Sequence, residues 1–273
     1  MVQQYRQVTW LILEVIVCCA AGTMMGLAST TVDELYSGIL RPPYTPLSPA
    51  PLEALLPSLG LYVSMSLGIA GAPAAVRIFG EERDVFLREA ASGHSTFSYF
   101  VAKNVATLPR MMLAGLHFAG FFSMLARPSS SFLWLFTLSM GILWGVYGVS
   151  FLVSMTVSRA NAALLGVIST LSAAFMCGFG PTLVQGREWG VVAIVQELSY
   201  ARWATEFWLH AETLPYRNLF FVTEVFQGAF GYTLDRPDVD VVMMIVIGLG
   251  LRTAAYAGLL LLARWRGGGR GGS

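Results

Sequence analysis

Residues 132–157 read FLWLFTLSMGILWGVYGVSFLVSMTV, without one formal charge. An α-helix rises 1.5 Å per residue, so about 20 mostly apolar residues cross the hydrocarbon core of a bilayer. This stretch exceeds that length and reads as a membrane span. Two more spans flank it, at Val105–Ala126 and Ala162–Val184, the second also uncharged. Further out lie Leu55–Ala75, Thr9–Ala28 and Val241–Ala263, which makes six predicted crossings. Pro57, Pro73 and Pro109 fall within the second and third, where neighbouring helices can satisfy the freed backbone groups.

Composition agrees with that reading. Of the 273 residues, 55% are hydrophobic and 12% charged, against about a quarter charged in an ordinary soluble domain. Mean hydropathy is +0.63, more apolar surface than one water-soluble core can hide. The net charge of +1 supplies no field that would recruit nucleic acid. Cys18, Cys19 and Cys177 all lie in apolar runs and read as small packing residues, with no metal-ligand spacing. The first apolar run is long enough to span and is read as a retained helix, not a cleaved signal.

Basic residues set the expected orientation. With the N-terminus cytoplasmic, the inner side collects Arg6, Arg77, Arg83, Arg88, Lys103, Arg110, Arg159, Arg264, Arg266 and Arg270. The outer side then holds Arg41, Arg127, Arg187, Arg202, Arg217 and Arg236, four of them in one long loop. Both termini are therefore expected inside. Thr30–Ala54, with five prolines, reads as an irregular external loop, and Arg77–Asn104 as a polar helical connection on the cytoplasmic side. Gln185–Asp240 carries Trp189, Tyr200, Trp203, Phe207 and Trp208, so it is expected to lie in or dip into the outer interface. The tail 267–273 is Gly-rich and expected to be disordered.

Catalytic chemistry finds little support. A P-loop needs a lysine after a Gly-rich turn, and the single lysine, Lys103, follows Tyr-Phe-Val-Ala. His94, His117 and His210 form no i, i+4 pair, and no Gly-x-Ser-x-Gly elbow occurs. The chain is thus expected not to be an enzyme, with no catalytic or metal residue. Charges inside spans are better candidates, because an unpaired charge in the bilayer costs several kcal/mol. Glu14 in the first span and Arg252 in the sixth have opposite signs and compatible depths, which predicts that they pair. On the cytoplasmic connection, Glu82, Phe86 and Glu89 share one helical face, with Val85 and Arg88 at neighbouring angles. That pattern fits either a solvated interfacial helix or a docking helix for a cytoplasmic partner.

Three motifs resemble the ABC transporter G (White) subfamily. The first is Glu82-x-x-x-Phe86-x-Arg88-Glu89-x-x-Ser92-Gly93, continuing to Ser98-Tyr99-Phe100-x-x-Lys103 and Leu108-Pro109. The second is Leu198-Ser199-Tyr200-x-x-Trp203-Ala204-x-Glu206, and the third Arg252-x-x-Ala255-Tyr256. In register on six spans, they make residues 1–266 similar to the membrane domain of plant and protist half-transporters. The resemblance implies an all-α membrane protein of the type II ABC exporter class, with about six transmembrane helices, a cytoplasmic coupling helix and an external re-entrant segment around Trp203. It implies that Glu82, Phe86, Arg88 and Glu89 couple the domain to a nucleotide-binding domain, and that Ser92, Gly93, Tyr99, Lys103, Pro109, Tyr200, Trp203, Glu206, Arg252 and Tyr256 are structural.

The nucleotide-binding domain, with its ATP and Mg, is expected upstream in a longer polypeptide or on a partner, and a second half-transporter completes a homo- or heterodimer. External cysteines common in animal members are missing, and no glycosylation sequon occurs at Asn104, Asn161 or Asn218. The expected function is ATP-coupled export of a hydrophobic or amphipathic substrate, lipids included. The alternative is an ATPase-less membrane subunit that pairs with complete half-transporters and regulates them.

Overall fold

The computed structural model describes residues 8–29, 40–47, 55–81, 86, 92–219 and 221–268. Ten α-helices carry the described chain: α1 (Val8–Ser29), α2 (Leu55–Gly80), α3 (Thr96–Ala126), α4 (Phe132–Thr156), α5 (Arg159–Phe175), α6 (Leu183–Glu188), α7 (Val191–Glu197), α8 (Tyr200–Thr213), α9 (Val222–Val225) and α10 (Pro237–Gly268). No strand occurs among the described residues; Phe179 and Thr182 form an isolated bridge.

The charge-free helix α4 is the hub. It packs against α2, α3, α5, α8 and α10, while α1 lies mainly on α3. Contact with five helices buries much of α4, while Phe132 and Leu133 at its start stay exposed. A helix that is apolar all round belongs in a core or a membrane. Five helices are long and apolar enough to cross a membrane, namely α1, α2, α3, α4 and α10.

Local chemistry sets the helix ends. Ser95 caps α3, its hydroxyl accepting from the Ser98 N–H at 3.3 Å. Arg127 closes the same helix in the left-handed region (φ 48°), its N–H donating to the Ser123 carbonyl oxygen. Thr182 and Gln185 form a reciprocal capping box at the start of α6.

Two predicted boundaries are corrected. The fifth span does not run unbroken from Ala162 to Val184. Helix α5 ends at Phe175, and the chain turns through Met176 and Cys177 to Gly178, whose φ is 96°. With only 17 residues, α5 is a shorter apolar helix than the other five. Hydropathy cannot register a reversal that glycine makes available. The third helix starts at Thr96, well before Val105, so residues 96–104 belong to it and not to a separate cytoplasmic connection. The tail departs from expectation as well, because α10 continues through Gly267 and Gly268. Residues 269–273 lie outside the described residues, as do most of Thr30–Ala54 and Glu82, Arg88 and Glu89 of the expected coupling segment.

The aromatic segment after α5 goes deeper than an interfacial loop. Helices α6 and α7 leave Trp189, Val191, Ile194 and Leu198 exposed, as an interface-seated hairpin would. All of α8 is buried, packed against α2, α4 and α10.

Close helix contact depends on small residues. A Cβ added to Gly22 of α1 would sit 2.6 Å from the Phe118 carbonyl oxygen of α3, a backbone atom that cannot swing away. Gly22→Ala should therefore lower stability by about 1–3 kcal/mol through overpacking. Gly120→Ala, where an added Cβ meets nothing within 4 Å, should leave the unfolding midpoint unchanged or raise it. Thermal unfolding of the detergent-purified chain reads both, and equal midpoints for the two variants would refute the α1–α3 contact.

Candidate functional site

The buried charges gather in three places. The first joins α1, α3 and α4: the Glu14 carboxylate is ion-paired to Arg110 and accepts a hydrogen bond from the Tyr147 hydroxyl. Glu14 is 3% exposed and Tyr147 fully buried, so the carboxylate is shielded from lipid and water alike.

The second site belongs to Arg252 on α10. Its Nε donates to the Asn104 side-chain oxygen at 2.9 Å, and Nη1 donates to the carbonyl oxygens of Trp144 (2.8 Å) and Gly248 (3.0 Å). The guanidinium lies over the Trp144 ring, 3.3 Å from its centroid. Arg252 is thereby held by α3 and α4 without a carboxylate. The predicted Glu14–Arg252 pair is overturned. Helix α1 packs on α3 and α10 on α4, so the two charges face different neighbours. Arg110, Tyr147 and Asn104 were the missed partners. Arg110 within the third predicted span was the available signal.

The third site is α8. Arg202 bridges Glu197 (3.3 Å) and Glu206 (3.4 Å), with its guanidinium 3.7 Å from the Trp203 ring centroid. The Glu206 Oε1 accepts the Thr233 N–H at 3.0 Å, and the Trp203 indole N–H donates to the Glu197 carbonyl oxygen at 2.9 Å. At the far end of α8, Glu212 accepts the N–H groups of Ser129 (2.8 Å) and Ser130 (3.1 Å), just before α4. Burial pushes the Glu206 and Glu212 carboxyls above the usual carboxylate range, against the pull of Arg202 on the first and of backbone N–H groups on the second. Burial also lowers His210, which shares the Leu234 carbonyl oxygen with Arg217. Tyr200 fits over Gly145 of α4, where any Cβ would collide with its ring.

Phe86, from the expected coupling segment, is buried, its ring 4.7 Å from Tyr99. Tyr99 also meets Phe79, and the Lys103 ammonium lies 5.7 Å from the Tyr99 ring centroid. Phe86 is thus an inward anchor and not an outward knob. Tyr256 joins this aromatic end through Phe100, at 5.3 Å. Ser92 and Gly93 are exposed in a turn where Gly93 has φ 93°, and Pro109 is exposed on α3.

None of these sites has the geometry of a reaction centre, and among the described residues no group of His, Cys, Asp or Glu could hold a metal. Their capacity is mechanical. They tie helices together where apolar packing alone leaves rotation and register free.

Comparison with known proteins gives a consistent result. The family model described as ABC-2 type transporter matches residues 58–265. An ABC-type transporter, claG, of Penicillium crustosum is 29% identical over 228 residues, covering 83% of this chain and 31% of that protein. ABC transporter G family member 25 of Oryza sativa subsp. japonica is 22% identical over 267 residues, 95% of this chain and 23% of that protein. The chain spans a third or less of the length of these relatives.

Proposed function

Because the chain belongs to the ABC-2 type transporter family, as the membrane domain of an ABC transporter, we propose that it forms the moving half of an ATP-coupled exporter for hydrophobic or amphipathic compounds. Two such domains face one another across a substrate path. The ATP and Mg are held by a nucleotide-binding domain, in the same polypeptide or on a partner. ATP-driven closure there tilts the bundle between two states, each favoured by its own set of contacts.

The observation that carries this reading is α8, a helix with charges at Arg202, Glu206 and Glu212 buried among membrane helices. A purely structural domain gains little from burying charge, since well-packed apolar residues do as well. A lid that must seat in one register and release as a unit has a use for it. The positive-inside bias places α8 on the outer side and both termini in the cytoplasm. The segment from Glu82 to Ser92 then faces the nucleotide-binding domain, with Phe86 anchoring it to Tyr99 while Glu82, Arg88 and Glu89 make contact.

Inside-out vesicles holding the chain with an ATPase-bearing partner should accumulate a fluorescent amphiphile only with ATP. Glu89→Lys should leave folding and hydrolysis intact while removing most uptake. Uptake indifferent to ATP would refute the exporter reading, and normal uptake by the variant would refute the coupling assignment alone.

A further inference from the structure

At the end of the bundle carrying Arg77, four helix termini converge on a cavity of about 360 Å³, within the size range of small-ligand pockets. It lies between the start of α1, the ends of α2 and α4, and the start of α5, lined among others by Trp10, Arg77, Gly80, Glu81, Ser154 and Arg159. Neither the buried charges nor the transport reading uses it. We propose that this cavity binds the phosphate of an anionic phospholipid headgroup, held between Arg77 and Arg159.

Two guanidiniums are presented in ways that leave donors for a ligand. Arg77 lies over the Trp10 ring, 3.6 Å from the centroid. A guanidinium held by its face keeps its N–H groups in the plane, where an oxyanion can take two at once. Arg159 uses one N–H on the Glu81 carbonyl oxygen (2.7 Å), and a guanidinium carries five. Glu81 also lines the cavity, and the two arginines outweigh it among the described lining residues.

Helix α5 adds to the field. It begins at Arg159, its Ser158 cap makes no side-chain bond, and Ala160 of its first turn lines the cavity. Uncapped N–H groups and the positive dipole end therefore lie at the rim. Space is available on the α2 side, since a Cβ on Gly80 meets nothing within 4 Å.

Free phosphate shares this chemistry, but position favours a lipid. The cavity lies where apolar spans end, and Trp10, 38% exposed, is an interfacial residue type placed at its edge. The orientation proposed above makes this the cytoplasmic leaflet, although binding itself depends on neither orientation nor transport.

Native mass spectrometry of the full chain, released from nanodiscs of mixed phosphatidylglycerol and phosphatidylcholine, tests the assignment. Phosphatidylglycerol should be retained preferentially. Arg77→Gln with Arg159→Gln should reduce that preference about fivefold per arginine, the weight of one basic side chain at an anionic surface. Arg77→Lys with Arg159→Lys should keep most of it, which separates charge from misfolding. Arg159→Gln alone, at an exposed position, reads the effect even where the double variant fails to fold. A preference that survives removal of both arginines would overturn the site. Retention of added inorganic phosphate without any lipid preference would overturn the lipid assignment in favour of the free ion.

Discussion

Replacing Glu14 by leucine should leave little folded protein, whereas Glu14→Leu combined with Arg110→Met should recover most of it. The single change strands the Arg110 guanidinium among α1, α3 and α4, with 17% of its side chain exposed. It also deprives the buried Tyr147 hydroxyl of its acceptor. Removing one partner of a buried pair costs about 3–5 kcal/mol, while replacing both by apolar groups of similar volume is often neutral. A membrane sharpens the contrast, because lipid offers the orphaned charge no better solvent than the protein does. Fluorescence-detected gel filtration and thermal unfolding in detergent read the outcome. Combining Glu14→Leu with Arg252→Met should give no recovery, since Arg252 is bound to Asn104 and to the carbonyl oxygens of Trp144 and Gly248. Recovery in that pair, or wild-type stability of Glu14→Leu, would refute the assignment.

Glu212→Ala should cost about 3 kcal/mol, from two charge-assisted hydrogen bonds at roughly 1.5 kcal/mol or more each. Its carboxylate holds the N–H groups of Ser129 and Ser130 at the entry to the hub helix α4, where Ser131 offers no side-chain capping bond. The loss therefore falls on the junction between α8 and the bundle. Limited proteolysis should cut within 198–219 sooner in the variant, while cleavage elsewhere is unchanged. Glu212→Gln keeps an acceptor oxygen and should fall between the two. Uniform loss of resistance along the chain would mean that Glu212 serves global stability and does not seat α8.

The spans were legible because the signal is additive. Twenty-odd apolar side chains announce a crossing whatever their partners, and Phe132–Thr156 would be recognised in isolation. Helix α5 defeats the same rule, since 162–184 is apolar throughout while the backbone turns at Gly178. Among site residues, Tyr200, Trp203 and Glu206 were found through a resemblance and fall together on α8. Glu212, one turn beyond Trp208 on the same helix, carried no comparable motif. Its role depends on the N–H groups of residues more than eighty positions away.

The amino-acid sequence alone determined that the chain is embedded in a membrane, how many apolar runs it has, and that no P-loop lysine is present. Each of these is a sum or a count along the chain and needs no knowledge of neighbours. Tertiary structure alone decided which charge meets which, that α4 is the hub, and that α8 inserts among the spans. Apolar spans of similar length can be arranged around one another in many orders and rotations with nearly equal burial. The choice among them rests on a few polar contacts, Glu14 with Arg110 and Glu212 with the entry to α4, and on glycines at the closest approaches.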